Sequence, residues 1–443
     1  MNKKLKNKIR LSPFIFIFLS FLIVIFIGSF LLWLPISQTD NKLSYIDSLF
    51  LSTSAICVTG LTPVSNLAEH LNIFGRVILA ILIEIGGLGI VSIMMFIAIL
   101  FGFKITFNQR SLLKEALNQN EVGGIVNMLI KIVTTALIIQ FIGFILNFIS
   151  LYFIEHLSLA ESIGYGLFHA ISSFNNAGFD LFGSSSLINY SNNYLFMFSI
   201  CLMIFLGGIG FIVIFDIIQK RSLRKLSLHS KIVLTMSIIL LVVGALLIKL
   251  LNFDTISLHD AIFLSFSLRT AGFTTVDLNN LSLASQIIMF IFMFVGAGSA
   301  STGGGIKVST FFVLILAFKN YAQGNKDIHV FKRQIPNDQV SKAFILTSFS
   351  TFFIIIISTI IATIEKNNFN LLQIFFEVVS GFGTVGLTLG VTPLLSTLSK
   401  LVICVTMFTG RLGPLLFISL FHKKHEVIKK DQVGFVEENV IIG

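Results

Sequence analysis

Charge is what this sequence has least of. Only 12% of its 443 residues are Asp, Glu, Lys or Arg, against about a quarter in a soluble domain. A water-facing surface cannot be built from so little charge. A soluble globule, a disordered chain, a coiled coil and a nucleic-acid module are therefore excluded. Proline is scarce as well, 6 residues against 48 phenylalanines, which points the same way. The three cysteines, Cys57, Cys201 and Cys404, are far apart and form no CxxC pair, which argues against a disulfide framework and a zinc site. There is no HExxH, no paired-Asp motif, and the eight histidines are scattered, so an intramembrane enzyme lacks its constellation. No G-x-G-x-x-G follows a strand, and no cytoplasmic stretch is long enough to fold alone, so no nucleotide-binding module is visible.

What is present is apolar: 55% of the residues, with a mean hydropathy of +0.93. A hydrocarbon core of about 30 Å needs about 20 apolar helical residues. Stretches of that kind lie near 12–35, 72–101, 126–154, 194–218, 231–251, 284–318, 342–364 and 394–421, giving eight expected spans. The first follows a basic start (Lys3, Lys4, Lys6, Lys8, Arg10). It is too long for a signal peptide and has no A-x-A-like cleavage site after it. Four shorter apolar segments, near 44–58, 158–175, 257–269 and 370–383, have the length of re-entrant elements.

The net charge of +10 sorts by position. Of 31 Lys and Arg, 23 fall at the N-terminus, in 104–131, 220–231 and 319–342, and in the C-terminal tail. The alternate connections hold only Lys42, Arg76, Lys249, Lys366 and Lys400. The positive-inside rule puts both termini in the cytoplasm and all four short segments on the outer side of a multi-pass plasma (inner) membrane protein. Arg269, Lys307 and Arg411 remain inside apolar segments.

The pattern span–short segment–span occurs four times. Each short segment opens with a helix N-cap signature: Ser44-x-x-Asp47, Ser158-x-x-Glu161, Ser257-x-x-Asp260 and Asn370-x-x-Gln373. Each ends in a glycine-centred tetrad: Val58-Thr59-Gly60-Leu61, Asn176-Ala177-Gly178-Phe179, Thr270-Ala271-Gly272-Phe273 and Thr384-Val385-Gly386-Leu387. The second unit spaces cap and glycine about one helical turn further apart. Each following span carries a glycine cluster: Gly86-Gly87-Leu88-Gly89, Gly207-Gly208-Ile209-Gly210, Gly296-Ala297-Gly298 and Gly410-Arg411-Leu412-Gly413. For the first two clusters, close helix packing is as good a reading as a functional one.

The expected fold is an all-α integral membrane protein of four repeated units, each a transmembrane helix, a pore helix with filter loop, and a second transmembrane helix, arranged pseudo-fourfold around one central pore. The units are 1–103, 104–218, 219–318 and 319–422, with a cytoplasmic tail at 423–443. Four re-entrant loops around one axis present a ring of backbone carbonyls that can replace the hydration shell of a cation. Glycine at each centre permits backbone conformations that a Cβ forbids. The partly negative C-terminal ends of the short helices favour a cation as well. A receptor or scaffold has no use for four matched glycine loops.

Segment 296–307 holds five glycines, two serines and a threonine at membrane depth. With Gly costing about 1 kcal/mol relative to Ala, this is a poor continuous helix. It is not a phosphate loop, because position 304 is glycine where lysine is required. A kinked helix and a flexible loop crossing the pore below the filter remain as readings. Arg411 is expected at the pore constriction, hindering the cation by repulsion, or else in a structural ion pair. Arg269 is read as bracing its filter loop, with Glu84 and Glu377 as candidate partners.

These residues resemble the superfamily of K⁺ transporters that includes Trk, Ktr and the plant HKT proteins, most strongly the KtrB-type membrane subunits of bacterial Ktr systems. The resemblance runs from about Pro13 to Gly443. It is carried by Ser54 to Leu61, Arg269 to Phe273, Gly296 to Lys307 and Gly410 to Pro414. It implies that the cargo is K⁺, held by backbone carbonyls of Val58, Thr59, Gly60, Asn176, Ala177, Gly178, Thr270, Ala271, Gly272, Thr384, Val385 and Gly386. It implies an intramembrane gating loop at Gly296, Gly298, Ser299, Ser301, Thr302, Gly303, Gly304, Gly305 and Lys307, with Arg411 as a barrier beside it. Some HKT proteins that carry Na⁺ have serine at the first filter glycine; Gly60 at this position favours K⁺. The resemblance further implies a homodimer and a separate cytosolic KtrA-type regulatory ring, the only component that binds nucleotide, with Na⁺ as a candidate activator and no cofactor in this chain. Gln219 to Lys225 and 319–342 are candidate docking segments, though most of their charge reads as positive-inside topology and contact with anionic membrane lipids. The apolar end of the tail is expected to pack at the dimer interface.

Overall fold

The computed structural model describes residues 13–117, 121–183, 186–325, 327–366 and 368–413. The N-terminal basic cluster, residues 414–421 of the eighth expected span and the tail 423–443, with its expected dimer packing, lie outside the described residues.

Unit one comprises α1 (Pro13–Trp33), the short α2 (Tyr45–Cys57), a turn of helix α3 (Leu67–His70), α4 (Ile73–Leu88) and α5 (Ile90–Leu100). After α6 (Phe107–Ala116), unit two runs through α7 (Ile125–Ile149, prolonged by a π-helical turn Ser150–Ile154), α8 (Leu159–Phe174), α9 (Tyr194–Ile209) and α10 (Phe211–Lys220). Unit three holds α11 (Leu228–Leu251), α12 (Leu258–Ser267), α13 (Leu283–Phe294) and α14 (Val308–Ala322). A small antiparallel hairpin, β1 (Ile328–Val330) with β2 (Arg333–Ile335), pairs Ile328 with Ile335. It precedes unit four: α15 (Asn337–Glu365), α16 (Leu371–Gly383) and α17 (Thr397–Leu412).

The short helices start where their capping residues place them. Ser158 with Glu161 and Asn370 with Gln373 form complete reciprocal boxes. In units one and three the shorter Asp cannot reach back to the backbone, and Ser44 and Ser257 donate to Asp47 Oδ2 and Asp260 Oδ2 instead, at 2.7 and 2.6 Å.

The first helix of each unit is a continuous apolar rod long enough to cross a membrane. In units one and two the second is not, and this corrects the expectation of eight spans with a break only in unit three. The α4–α5 pair bends by 101° and α9–α10 by 92°, so six spans are counted among the described residues if each bent pair is one. The cause is a glycine in a conformation that side chains rarely adopt: Gly89 at φ 86, ψ 132 and Gly210 at φ 90, ψ 146. Gly413 ends α17 at φ 83, ψ 145, and in unit three the break widens into the whole segment between α13 and α14.

Packing is cyclic. Each short helix lies against the first helix of its own unit and the second helix of the unit before: α2 on α1 and α17, α8 on α7 and α4, α12 on α11 and α9, α16 on α15 and α13. Lys400 on α17 and Asp47 in the first turn of α2 close the cycle with a 2.7 Å ion pair. Phe50, Phe174, Phe376 and Phe382 on the short helices are fully buried by this arrangement.

Gly207 abuts the Phe174 carbonyl so closely that a Cβ would collide with it, and Gly86 and Gly410 meet Ile56 and Phe382 in the same way. Gly207→Ala is therefore expected to cost about 1–3 kcal/mol of stability. Gly123→Ala, where nothing lies within 4 Å of an added Cβ, should leave it unchanged. Thermal unfolding of the purified protein in detergent checks both.

Candidate ion pathway

The four tetrads share one backbone pattern. Their first residues are left-handed: Val58 at φ 56, Asn176 at φ 57, Thr270 at φ 70 and Thr384 at φ 51. Their third residues are glycines at positive φ: Gly60 at 92, Gly178 at 72, Gly272 at 76 and Gly386 at 94. Thr59, Ala177, Ala271 and Val385 between them are not at positive φ. Alternating handedness turns successive carbonyls toward one side of the strand, which a continuous helix or β-strand does not do.

Each strand is stapled to its own short helix. Thr59, Ala177, Ala271 and Val385 donate their N–H to the carbonyls of Ser54, Ser172, Ser267 and Ser380, at 2.8, 2.8, 2.9 and 2.9 Å. The same serines bind the tetrads through their hydroxyls, in two directions. Ser54 and Ser380 accept from the N–H of Gly60 and Gly386, both at 3.1 Å. Ser172 and Ser267 donate to the carbonyls of Phe179 and Phe273, at 2.7 and 2.5 Å. The role of these serines was missed in the sequence, although Ser54, Ser172 and Ser380 share one register before the central glycine; Ser267 stands one residue closer to its own.

The strands meet in a closed ring. A Cβ added at Gly60 would strike the Ala177 carbonyl oxygen, at Gly178 that of Ala271, at Gly272 that of Val385, and at Gly386 that of Thr59. Each central glycine thus seats the second-position carbonyl of the next unit, and the fourth unit returns to the first. All twelve residues expected at the site are brought together here.

Segment 296–307 is a non-helical loop directly beneath the ring. Its base is a parallel bridge, Val295 with Ile306, and Gly296 N–H donates to the Ile306 carbonyl at 2.8 Å. Gly298 N–H reaches the Gly208 carbonyl at 2.8 Å and Ala300 accepts from Phe211 N–H at 3.1 Å, so this side lies in the α9–α10 bend. Ser301 donates to Gly298 at 2.6 Å, and the hydroxyls of Ser299 and Ser309 lie 3.1 Å apart. The other side touches the tetrads. Gly304 N–H donates to Thr384 Oγ1 at 2.9 Å, a Cβ on Gly303 would strike Thr270 Oγ1, and Gly305 lies against Gly383. Thr302 donates to the Phe174 carbonyl at 3.2 Å.

Arg411 lies beside this loop, with its guanidinium donating to the carbonyls of Thr302, Gly86 and Gly87. Lys307 Nζ donates to the Gly303 carbonyl at 2.7 Å. Neither forms an ion pair among the described residues. Both line a cavity of about 550 Å³ with Leu88, Ile132, Phe211 and Leu412. Arg269 is held by Ser237, at 2.9 Å from its hydroxyl and 3.5 Å from its carbonyl, on α11. The two carboxylates weighed as its partners go elsewhere: Glu84 binds Asn175 and Gln140, and Glu377 binds Thr388 and Thr392.

Four of the enclosing helices are long and apolar enough to cross a membrane, which defines the class as a membrane protein, and known proteins share this fold. Residues 4–430 match the family model described as cation transport protein, TrkH. The chain is 37% identical to the potassium/sodium uptake protein NtpJ of Enterococcus hirae, over 100% of this chain and 99% of the relative. It is 36% identical to the Ktr system potassium uptake protein B of Bacillus subtilis, over 94% of this chain and 95% of the relative. The crystal structure of the potassium transporter TrkH from Vibrio parahaemolyticus superposes with a TM-score of 0.73, covering 95% of this chain and 87% of that one. At 19% identity that likeness concerns the fold. The chain belongs to the Trk/Ktr family of cation transport proteins; it is a membrane-embedded transporter, not an enzyme.

The Gly304–Thr384 hydrogen bond joins loop to ring and is buried. Thr384→Val keeps the volume but leaves the Gly304 N–H without its acceptor, at an expected cost of about 1–3 kcal/mol. Thr384→Ser retains the hydroxyl and should stay near wild type. Thermal unfolding of the two variants in detergent tests the assignment.

Proposed function

We propose that this chain takes up K⁺ across the plasma membrane through the four-tetrad ring, arranged pseudo-fourfold around one pore, with both termini cytoplasmic. The observation that carries this reading is the closed ring itself. Four second-position carbonyls are seated on four glycines of the neighbouring units, with left-handed residues before them. Carbonyl oxygens held this way replace the waters of a dehydrating cation and need no acidic side chain. The short helices also end at the ring, adding their negative dipole ends.

The gate in this reading is the loop Gly296 to Lys307. It blocks the path under the ring, and Arg411 pins it while repelling a cation descending from the filter. The units divide at 1–103, 104–218, 219–318 and 319–422, with the tail 423–443 in the cytoplasm. Since relatives are named as Ktr system proteins, the opening force is assigned to a cytosolic KtrA-type ring that binds the nucleotide, acting on a homodimer of this chain. The chain itself needs no cofactor; Na⁺ enters as an activator. A second reading, Na⁺ or mixed K⁺/Na⁺ transport by the same ring, is favoured by the name of the Enterococcus hirae relative, a potassium/sodium uptake protein.

Expression with the regulatory ring in a strain lacking its own K⁺ uptake should restore growth on low K⁺, and failure to do so refutes K⁺ uptake. Flux of K⁺, Rb⁺ and Na⁺ from liposomes separates the two readings. Gly60→Ser puts a side chain at φ 92 against the Ala177 carbonyl. A loss of about 1.4 kcal/mol in K⁺ coordination there lowers K⁺ over Na⁺ discrimination about tenfold.

Arg411→Ala removes the cation pinning the loop. Uptake without the regulatory ring should rise several-fold in the same strain, and dependence on the ring should fall. Unchanged uptake together with unchanged dependence rejects the barrier role.

A further inference from the structure

Glu84 lies on α4, three residues before Gly87, and plays no part in the pathway described above. Its Oε2 accepts two hydrogen bonds, from Asn175 Nδ2 at 2.6 Å and from Gln140 Nε2 of α7 at 2.8 Å. The second hydrogen of Asn175 Nδ2 goes to the Ile171 carbonyl at 2.9 Å. A carbonyl oxygen only accepts, so this bond fixes the amide orientation and leaves Asn175 Oδ1 as an acceptor. Glu84 Oε1 and Asn175 Oδ1 are both buried, and neither has a hydrogen-bond partner. They lie on one side of α4: a Cβ on Gly87 would collide with Asn175 Oδ1, and residues three apart share a helix face. Among the described residues no Lys or Arg makes an ion pair with Glu84.

Two bare acceptors beside one amide–carboxyl contact lack a single hydrogen between them. An ionised carboxylate here would leave both oxygens unsatisfied at membrane depth, where water cannot compensate. We propose that Glu84 is a proton-binding site: its neutral acid donates Oε1–H to Asn175 Oδ1 while Asn175 Nδ2 donates to Oε2, closing a two-bond acid–amide ring. One proton then satisfies both orphaned atoms. Asn175 directly precedes the second tetrad, so the protonated pair anchors the filter loop of unit two to α4 of unit one. Release of the proton to solvent leaves a carboxylate facing Asn175 Oδ1 and loosens that anchor.

The surroundings determine what else titrates. Neither α1 nor α5 carries a titratable residue. From α2 comes Cys57, and from α17 comes Arg411, bonded to the Gly86 and Gly87 carbonyls. Lys307 is bonded to Gly303, and His169 on α8 holds the Tyr165 carbonyl through Nδ1 at 2.8 Å. Lys131 on α7 lies nine residues before Gln140. A Glu84→Gln variant isolates Glu84 from all of these, because its amide reproduces the proposed donor and acceptor without a titratable proton.

The test uses the full chain. In detergent, the wild-type unfolding temperature should fall by several degrees as pH rises from acid to alkaline, and K⁺ uptake with the regulatory ring should fall severalfold over the same range. Glu84→Gln should be as stable as wild type at low pH and should lose most of both dependences. The infrared spectrum of wild type should contain a protonated-carboxyl C=O band that Glu84→Gln lacks. An unchanged pH slope in Glu84→Gln, or an infrared spectrum with no band lost on substitution, overturns the proposal. So does a Glu84→Gln protein less stable than wild type at low pH, since that result requires an ionised carboxylate.

Discussion

Everything in this molecule depends on one constraint: backbone that leaves the helix at membrane depth must find its hydrogen-bond partners inside the protein. Among the described residues, the four tetrads and the loop of unit three are the longer segments that leave the helix here. Each solves the problem by bringing backbone against backbone with a glycine at the point of contact. Gly60, Gly178, Gly272 and Gly386 seat the carbonyls of neighbouring strands; Gly86, Gly207 and Gly410 seat the last carbonyls of the short helices. Serine completes the accounting at the helix ends, accepting from an N–H in units one and four and donating to a carbonyl in units two and three. In the proposed reading, the ring oxygens held by these contacts are the ones offered to a cation.

The bends in α4–α5 and α9–α10 give the two sides of the loop opposite electrostatics. Above it, α2, α8, α12 and α16 run into the tetrads with their C-terminal ends, which carry partial negative charge. Below it, the residues that open α5, α10 and α14 line the cavity together with Lys307 and Arg411. Helix N-terminal ends carry partial positive charge, so the helices reinforce the two side chains. On the proposed function, a cation is favoured above the loop and disfavoured beneath it. Such a polarity reversal makes the loop region, rather than the ring, the natural place to regulate flow in the proposed mechanism.

The caps, the tetrads and the broken segment of unit three were legible because each is a local backbone requirement with a residue signature. Ser44, Ser158, Ser257 and Asn370 are caps where the pattern puts them. The bends at Gly89 and Gly210 were hidden, because a glycine in an apolar run serves close packing and a bend equally well. Gly86 and Gly207 do pack closely, while Gly89 and Gly210, three residues on in each cluster, take the positive φ. The partners of Arg269, Glu84 and Glu377 were beyond reach for a different reason. They are tertiary side-chain contacts, across units for Glu84 and within one unit for Arg269 and Glu377, set by packing rather than by a residue signature along the chain.

Repetition also explains where the units had to differ. The residue just before each tetrad is Cys57, Asn175, Arg269 or Gly383, four different chemistries at one register. Gly383 leaves room for the loop, against which Gly305 packs. Arg269 turns outward to α11 and ties its tetrad to the first helix of its own unit. Asn175 reaches across to α4 and meets Glu84, where the corresponding glycine-flanking positions of the other units, Phe205, Phe294 and Phe408, are apolar. Loop, arginine and acid–amide pair therefore occupy equivalent places in successive units. In the proposed mechanism, the repeated backbone contacts supply the filter, and the positions at which the units differ are the ones available for control.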